Sequence, residues 1–148
     1  MLAPMRHLPT LASAMTAFPY SIEAGASLTD AKVMMAEHDI RHLPVTDGGQ
    51  IVGIVAYTDV LAALTVRDEG SDETRVAEVC ATHAYVVEVG THLEDVTREM
   101  ARRHIGSALV TKQGKLVGIL TGSDVCRVLG DLLESLRPGA PGSGGDVA

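Results

Sequence analysis

The sequence predicts a mixed α/β fold in which two copies of a β-α-β-β-α unit pack together by pseudo-twofold symmetry. The 148 residues are about one domain's worth, and 46% hydrophobic against 21% charged residues is a balance that supports a folded core. The chain also aligns with itself after a shift of 65 residues, which indicates a duplicated unit. Strand-like and helix-like patterns follow in the same order in both copies, and this order defines the fold class.

The duplication sets the predicted domain boundaries. Residues 11–64 align without a gap with residues 76–129, and 18 of the 54 pairs are identical, where chance supplies roughly three. We therefore predict an N-terminal segment at 1–10, repeat 1 at 11–64, a charged linker at 65–75, repeat 2 at 76–129, the end of the last helix at 130–137 and a disordered, Gly- and Pro-rich tail at 138–148. Because one repeat has a small core and several apolar faces, we expect the two to pack together with a binding cleft between them.

The first strand and helix of each repeat follow from local patterns. Short strands are predicted at 20–23 and 85–88, each followed by a turn glycine. A helix comes next, and Ser27 to Asp30 resemble a capping box with aspartate in the position of glutamate.

A hairpin and a second helix complete each repeat. The hairpins are predicted at 43–55 and 108–120, and each has a glycine at its turn. The final helices are expected to start at Thr58-Asp59 and at Ser123-Asp124, with the hydroxyl residue as the N-cap and the acid in the first turn.

Composition and charge exclude several classes of function. A net charge of -7 has the wrong sign for neutralising phosphate backbones, so no nucleic-acid partner is expected. No apolar run approaches the roughly 18 residues of a membrane span, and no membrane association is expected. Cys80 and Cys126 are too few for a disulfide framework, which favours a reducing compartment and a cytoplasmic protein. Both align with apolar residues of the other repeat, so both are expected to be small core residues.

No metal site and no catalytic site are predicted. His38 and His42 have the i, i+4 spacing of a metal-binding pair, but the residues around them indicate a helix that gives way to a strand, so the two imidazoles do not share a helical face. No nucleophile with its base and no pair of carboxylates can be assembled from the sequence. The chain is therefore predicted not to be an enzyme.

These residues resemble a known family, the tandem pair of cystathionine β-synthase (CBS) domains called the Bateman module. The resemblance covers 11–129 and is carried by Ile40–Asp47, by Ile51–Val55 with Asp59 after it, and by Lys115–Asp124. It implies two CBS repeats that form a regulatory, non-catalytic module with no required cofactor. The implied ligand contains adenosine (AMP, ADP, ATP, S-adenosylmethionine or NAD), binds in clefts between the repeats, and changes how the module signals to an unidentified partner protein. Apolar helix faces left uncovered would favour a homodimer.

The family pattern implies a ribose-binding aspartate with a threonine or serine three residues before it. A carboxylate suits this task because it accepts two hydroxyl donors at once. Repeat 2 matches with Thr121, Ser123 and Asp124, whereas repeat 1 keeps Thr58 and Asp59 but has Ala56 in place of the first hydroxyl.

The resemblance also implies contacts to the phosphate and to the base. Arg41 and His42 occupy the positions of cationic phosphate ligands in the Asp59 cleft, and their counterparts in repeat 2 are Gly106 and Ser107. The Asp124 cleft is thus expected to hold ribose well and phosphate weakly, and the Asp59 cleft the reverse. Arg102, Arg103 and His104 could add charge from the adjacent helix end. Base contacts are implied for Tyr20, Ser21 and Ile22 in the Asp124 cleft and for Tyr85, Val86 and Val87 in the Asp59 cleft.

Each of these residues also has a plainer interpretation. Thr58-Asp59 and Ser123-Asp124 could only start helices, worth about 1 kcal/mol each as caps. Arg41 could be a solvated charge at a helix end, and the two tyrosines could simply pack on their strands. Two functions therefore remain: a sensor of an adenosine ligand, and a ligand-independent dimeric interaction scaffold, which the departures at Ala56 and Gly106 favour.

Overall fold

The computed structural model describes residues 8–66 and 74–139. Within them the chain forms five α-helices and seven strands, which confirms the predicted mixed α/β class. In chain order the elements are α1 (Leu11–Ala14), β1 (Thr16–Ala17), β2 (Ile22–Glu23), α2 (Leu28–His38), β3 (His42–Asp47), β4 (Gln50–Ala56), α3 (Tyr57–Val66), a 3-10 turn (Val76–Glu78), β5 (Val86–Glu88), α4 (Leu93–Arg103), β6 (Ser107–Lys112), β7 (Lys115–Thr121) and α5 (Gly122–Leu136).

The seven strands form two sheets with matching topology. Repeat 1 has the order β2-β3-β4 and repeat 2 the order β1-β7-β6-β5. In each repeat the first strand runs parallel to the second, which pairs antiparallel with the third. The register shifts at Val45/Thr46 in one hairpin and at the equivalent Val110/Thr111 in the other. The two sheets are therefore structural copies of each other, down to the position of the bulge.

The hairpin turns explain three of the glycine positions. Gly48 and Gly49 have φ angles of 59° and 86°, and Gln113 and Gly114 have 53° and 78°. Positive φ at both central residues is the condition of the type I′ turn, whose twist matches that of the strands it joins. Gln113 adopts the left-handed region at some cost, because it carries a side chain.

The first residues of each repeat cross over to the sheet of the other repeat. β1 pairs with β7, with Thr16 opposite Ile119, and in the mirror arrangement Ala81 bridges to Ile54. These two pairings are related by the same 65-residue offset as the repeats. The crossover thus gives the pseudo-twofold symmetry a specific structural form, the exchange of two N-terminal segments.

The exchange also joins the two hydrophobic cores. Leu11 and Ala14 are 1% exposed and are buried in the core of repeat 2, with Val96 among its members. Val76, the counterpart of Leu11, is fully buried in the core of repeat 1 with Met35. Because burying such a side chain contributes about 1.5–3 kcal/mol, each core depends on a residue that the other repeat supplies.

Two glycines make the close approach of the exchanged segments possible. A Cβ atom at Gly53 would overlap the Ala81 carbonyl oxygen and lie 3.1 Å from the Cys80 sulfur. A Cβ atom at Gly118 would overlap the side chain of Met15, which is the counterpart of Cys80. The glycine shared by the two repeats at this position is therefore required by packing.

The cysteines occupy different environments. Cys80 is half-buried and packs against the core of repeat 1, and burial raises the pKa of its thiol. Cys126 is exposed on α5. The expectation of a core position was therefore wrong for Cys126, because this face of α5 points away from the sheet.

The helix starts differ from the sequence prediction in one respect. α2 begins after Ser27, whose side chain accepts a hydrogen bond from the Asp30 N–H at 3.0 Å, as expected for an N-cap. The final helices, however, begin at Tyr57 and Gly122, two residues earlier than predicted from Thr58 and Ser123 as N-caps. Thr121 is the N-cap of α5, and Ser123 lies inside the first turn. Thr121 and Ser123 both carry a hydroxyl, and the prediction that Ser123 caps the helix was wrong.

Some predictions fall on residues outside the described ranges. These are residues 1–7 of the N-terminal segment, residues 67–73 of the linker and residues 140–148 of the tail. Of the helices that the structure describes, none combines the length and the apolar character needed to cross a membrane.

Candidate functional site

A cleft of about 980 Å³ lies between the two repeats. Repeat 1 contributes the segment after α1 and the end of α2 with the start of β3, and repeat 2 contributes the start of β6 and the junction of β7 with α5. The lining residues are Thr16, Ala17, Phe18, Pro19, Tyr20, His38, Asp39, Ile40, Arg41, His42, Gly106, Ile119, Thr121, Gly122, Ser123 and Asp124. Its volume is at the upper end of the range typical of small-molecule sites.

Asp124 lines the cleft from the first turn of α5. One carboxylate oxygen, Oδ2, accepts hydrogen bonds from the Thr121 N–H at 2.9 Å and from the Thr121 hydroxyl at 3.1 Å. The Thr121 hydroxyl in turn accepts from the Asp124 N–H at 3.4 Å, which completes a capping box. Asp124, the residue predicted to bind ribose, is therefore also part of the capping box of α5.

The other carboxylate oxygen of Asp124 faces the exchanged segment. The Thr16 hydroxyl donates to Oδ1 at 3.2 Å, and Arg127 Nη2 lies 3.7 Å from the same atom. Arg127 also donates to the Ala14 carbonyl oxygen at 2.8 Å. Because the Asp124 side chain is only 12% exposed, these contacts are partly shielded from water. They fasten the segment of α1 and β1 to α5.

Tyr20 and Tyr85 occupy equivalent positions, and a helix end covers one face of each ring. The Tyr20 ring stacks on His38 with centroids 3.7 Å apart and an interplanar angle of 12°. The Arg103 guanidinium lies 4.6 Å from the centroid of the Tyr85 ring. Tyr20 lines the cleft and is 54% exposed, whereas Tyr85 is half-buried and does not line it. Of the two predicted aromatic base contacts, the structure thus brings Tyr20 alone to this cleft.

The other residues of the first strands do not line the large cleft. Ile22 and Val87 are 4% and 9% exposed and belong to the two hydrophobic cores. Ser21 and Val86 are exposed. Successive side chains of a strand point to opposite faces of the sheet. Ile22 and Val87 face the cores, so these two residues are not available to contact a ligand in the cleft.

Arg41 and His42 lie in the same cleft as Asp124. The two cations that the family pattern assigns to the Asp59 cleft thus also line the cleft that contains Asp124. The starts of β3 and β6 meet near the pseudo-twofold axis, where a Cβ atom at Gly106 would be 3.7 Å from His42 Nε2. Because Gly106 has no side chain, His42 extends over it toward repeat 2. Burial lowers the pKa of His42, and the charge of Asp59 opposes this shift.

Arg41 is exposed, and its guanidinium lies 5.4 Å from the centroid of the Tyr57 ring. Its carbonyl oxygen accepts from the Tyr57 N–H at 2.8 Å, just as Gly106 accepts from Gly122 at 3.0 Å in repeat 2. A pocket of about 120 Å³ adjoins it, lined by Met35, Ala36, Asp39, Ile40, Arg41 and Tyr57. The side chain of Arg41 therefore stands at the border of the large cleft and this smaller pocket.

The residues of the Asp59 cleft are arranged differently. Thr58 and Asp59 are exposed in the first turn of α3, and neither lines the large cleft. Ala56 precedes this helix and has no side chain that could cap it. The predicted Asp59 site thus has alanine at the position before its helix where the Asp124 site has the hydroxyl of Thr121.

Several cleft residues were not predicted from the sequence. Thr16 and Phe18 reach the cleft through the exchange of segments, and Phe18 is 79% exposed with a φ of 49°. Such a conformation is unusual for a bulky residue, and residues in sparsely populated backbone regions cluster at functional sites. Asp39 is the left-handed C-cap of α2, with a φ of 52°. The one sequence signal for this group was Phe18 itself, a solitary phenylalanine next to proline.

Comparison with known proteins identifies the repeats. The family model of the CBS domain matches residues 11–66 and 76–131. The CBS domain-containing protein YhcV of Bacillus subtilis is 28% identical over 112 residues, which are 75% of this chain and 79% of that protein. The L-aspartate semialdehyde sulfurtransferase of Methanocaldococcus jannaschii is 27% identical over 114 residues. The aligned region is 76% of this chain but 21% of that relative.

Solved structures share the fold. AcuB from Vibrio cholerae aligns with a TM-score of 0.75 and 33% identity, over 84% of this chain and 93% of that one. CBSX2, solved in complex with AMP, aligns with a TM-score of 0.71 and 27% identity, over 84% of this chain and 98% of that one. The CBS domain pair of MJ0100, solved with 5′-methylthioadenosine and S-adenosyl-L-methionine, has a TM-score of 0.75 at 23% identity, over 85% and 99% of the two chains, and this likeness concerns the fold alone. The chain therefore belongs to the CBS domain family, as a tandem pair of CBS domains.

Proposed function

We propose that this CBS pair is a non-catalytic regulatory module that binds an adenosine-containing ligand in the cleft of Asp124 and signals to a partner protein. The observation that carries the proposal is that Tyr20, Arg41 and Asp124, which lie far apart in the sequence, line one cleft of about 980 Å³. The complex of CBSX2 with AMP, at 27% identity over 84% of this chain, supports an adenosine ligand.

Each group has a role that its chemistry suits. The Asp124 carboxylate accepts the ribose hydroxyls, since it is an acceptor with several lone pairs. Ser123 is exposed in the first turn of α5, where the positive end of the helix dipole favours an anion. Arg41 binds a phosphate, and Tyr20 lies beside the base.

Ligand binding would act on the exchanged segment. A ribose hydroxyl at Asp124 Oδ1 replaces the hydroxyl of Thr16, which donates to that atom at 3.2 Å in the free chain. This frees β1 from one of its contacts to α5. A ligand shifts an equilibrium by its differential affinity for two states, and the loss of this hydrogen bond makes the two states different.

An apolar groove of about 340 Å³ is positioned to report the change. It lies between the exchanged segment and helices α4 and α5, and its lining includes Leu8, Pro9, Ala14, Leu93, Val125, Val128, Leu129 and Leu132. The same two chain segments border the cleft and the groove. Residues 16–19 and 121–124 line the cleft, and the neighbouring Ala14 and Val125 line the groove. We propose that this groove, with the exposed Leu133 and Leu136 of the same helix, is covered by a second copy of this chain in a homodimer.

Thermal unfolding with adenosine, AMP, ADP, ATP, S-adenosylmethionine and NAD tests the proposal. A ligand at about 100 times its dissociation constant adds about 2.7 kcal/mol to the free energy of unfolding, which raises the melting temperature. Asp124→Asn should abolish the rise, because an amide keeps the shape and one acceptor oxygen but loses a ribose acceptor. Asp95→Asn, a first-turn change in α4 outside the cleft lining, is the matched control. A chain that no adenosine compound stabilises contradicts the proposal.

A second function is favoured by one observation. The Asp124 carboxylate is already bonded to Thr121 and Thr16, so the cap satisfies it without a ligand. This arrangement fits a ligand-independent dimeric scaffold. The scaffold predicts a stable dimer whose melting temperature is the same with every nucleotide tested.

A further inference from the structure

The charged side chains around the cleft are poorly suited to a chain of phosphates. The lining contains one arginine, Arg41, against two aspartates, Asp39 and Asp124, together with His38 and His42. The whole chain carries a net charge of -7, so its long-range field also repels anions. Each further phosphate on a ligand adds negative charge without finding a further arginine on this lining.

The positions of Arg41 and Asp39 strengthen this limit. Both line the small pocket of about 120 Å³ that adjoins the cleft, and both side chains are exposed. A guanidinium binds a single phosphate through two parallel hydrogen bonds. A second or third phosphate placed beyond the first would meet the Asp39 carboxylate instead of a cation.

The histidine at the centre of the cleft does not restore the balance. Burial lowers the pKa of His42, which favours its neutral form at neutral pH. A neutral imidazole can donate one hydrogen bond to a phosphate but brings no charge.

The two arginines at the C-terminal end of α4 make their contacts outside the cleft. Arg102 and Arg103 each lie 2.6 Å from a carboxylate oxygen of Glu99, and Arg103 covers the Tyr85 ring. Neither residue lines the large cleft. Both guanidinium groups at this helix end thus contact Glu99, whose carboxylate offsets one of their two positive charges.

We infer that the Asp124 cleft selects adenosine ligands with at most one phosphate and discriminates against ADP and ATP. The inference rests on the proposed function, since it concerns the ligand of the same cleft. Asp39 is the residue that sets the discrimination, because it shares the lining of the small pocket with Arg41, the one arginine among the described residues that line the cleft.

Calorimetric titration with adenosine, AMP, ADP and ATP, in EDTA at fixed ionic strength, tests the inference. Adenosine or AMP should bind about tenfold more tightly than ATP. Asp39→Asn should tighten ATP binding about threefold and leave adenosine binding unchanged. Asparagine also tolerates the left-handed backbone at this C-cap, so the variant should keep its fold. Asp47→Asn, at the exposed end of β3, removes the same charge outside the cleft lining and should alter neither affinity.

The outcomes separate this inference from the proposed function. ATP binding as tightly as AMP, or an Asp39→Asn variant whose ATP affinity equals that of the wild type, overturns the selectivity and leaves the adenosine module standing. Failure of all four ligands to bind overturns both.

Discussion

The helices α3 and α5 begin at equivalent positions of the two repeats, yet their first turns are built differently. Thr121 caps α5 and exchanges hydrogen bonds with Asp124, whereas Ala56 stands before α3 with no side-chain cap. The Asp124 side chain is 12% exposed and accepts hydrogen bonds from Thr121. Asp59 is exposed, and its charge opposes the lowering of the His42 pKa by burial. In repeat 2 the carboxylate thus faces the cleft and is held by Thr121. In repeat 1 the equivalent carboxylate follows an alanine that cannot hold it.

The exchanged segments show the same asymmetry. Thr16 reaches across to Asp124 with its hydroxyl, but its counterpart Ala81 has no hydroxyl to offer Asp59. The backbone pairing is nevertheless symmetric, with Thr16 opposite Ile119 and Ala81 opposite Ile54. Backbone symmetry is therefore compatible with side chains that give the two copies different chemistry.

The largest expected effect tests how far the two repeats depend on each other. Leu11→Ala should destabilise the protein by about 3 kcal/mol and Val76→Ala by about 2 kcal/mol, because each removes a buried side chain from the other repeat's core. Both variants should still unfold in one transition in urea. Two separated transitions in either variant would show that the cores are independent.

A smaller effect is expected at the two helix starts. Thr121→Ala should cost about 1–2 kcal/mol, because it removes the cap of α5 and a donor to Asp124. The reciprocal change, Ala56→Thr, offers α3 the cap that it lacks and should stabilise the protein by up to about 1 kcal/mol. Urea unfolding measures both, and Thr65→Ala, near the exposed end of α3, is a control expected to change little. A destabilising Ala56→Thr would mean that the two starts are not equivalent in backbone geometry.

The fold could be predicted because the two repeats, aligned at an offset of 65 residues, share the residue pattern that forms each sheet. Identical pairs such as Glu23 and Glu88 have a structural cause, since each accepts a hydrogen bond from the equivalent threonine, Thr46 or Thr111. The candidate site was predicted less completely. Thr16 enters it through a crossover between repeats, and His42 enters through the missing side chain of Gly106. Local patterns do not report such long-range placements, which depend on how two copies pack.

The smallest expected effect is the pH dependence of stability that comes from Glu99 near the end of α4 and that its counterpart in α2 cannot supply. Hydrogen bonds from Arg102 and then Arg103 lower the pKa of Glu99 from 4.5 to about 2. Because the folded-state pKa is the lower one, the stabilisation from this carboxylate is present above about pH 4.5 and is lost as the pH falls toward about 2. The equivalent residue in repeat 1 is Met34, so α2 has no matching titration. Carboxyl resonances followed by NMR should show Glu99 titrating near pH 2, and Glu99→Gln should remove the corresponding slope of stability between about pH 4.5 and 2. An ordinary pKa at Glu99 would mean that both arginines are free, and Arg103 would then be a cation available at the Tyr85 side of the molecule.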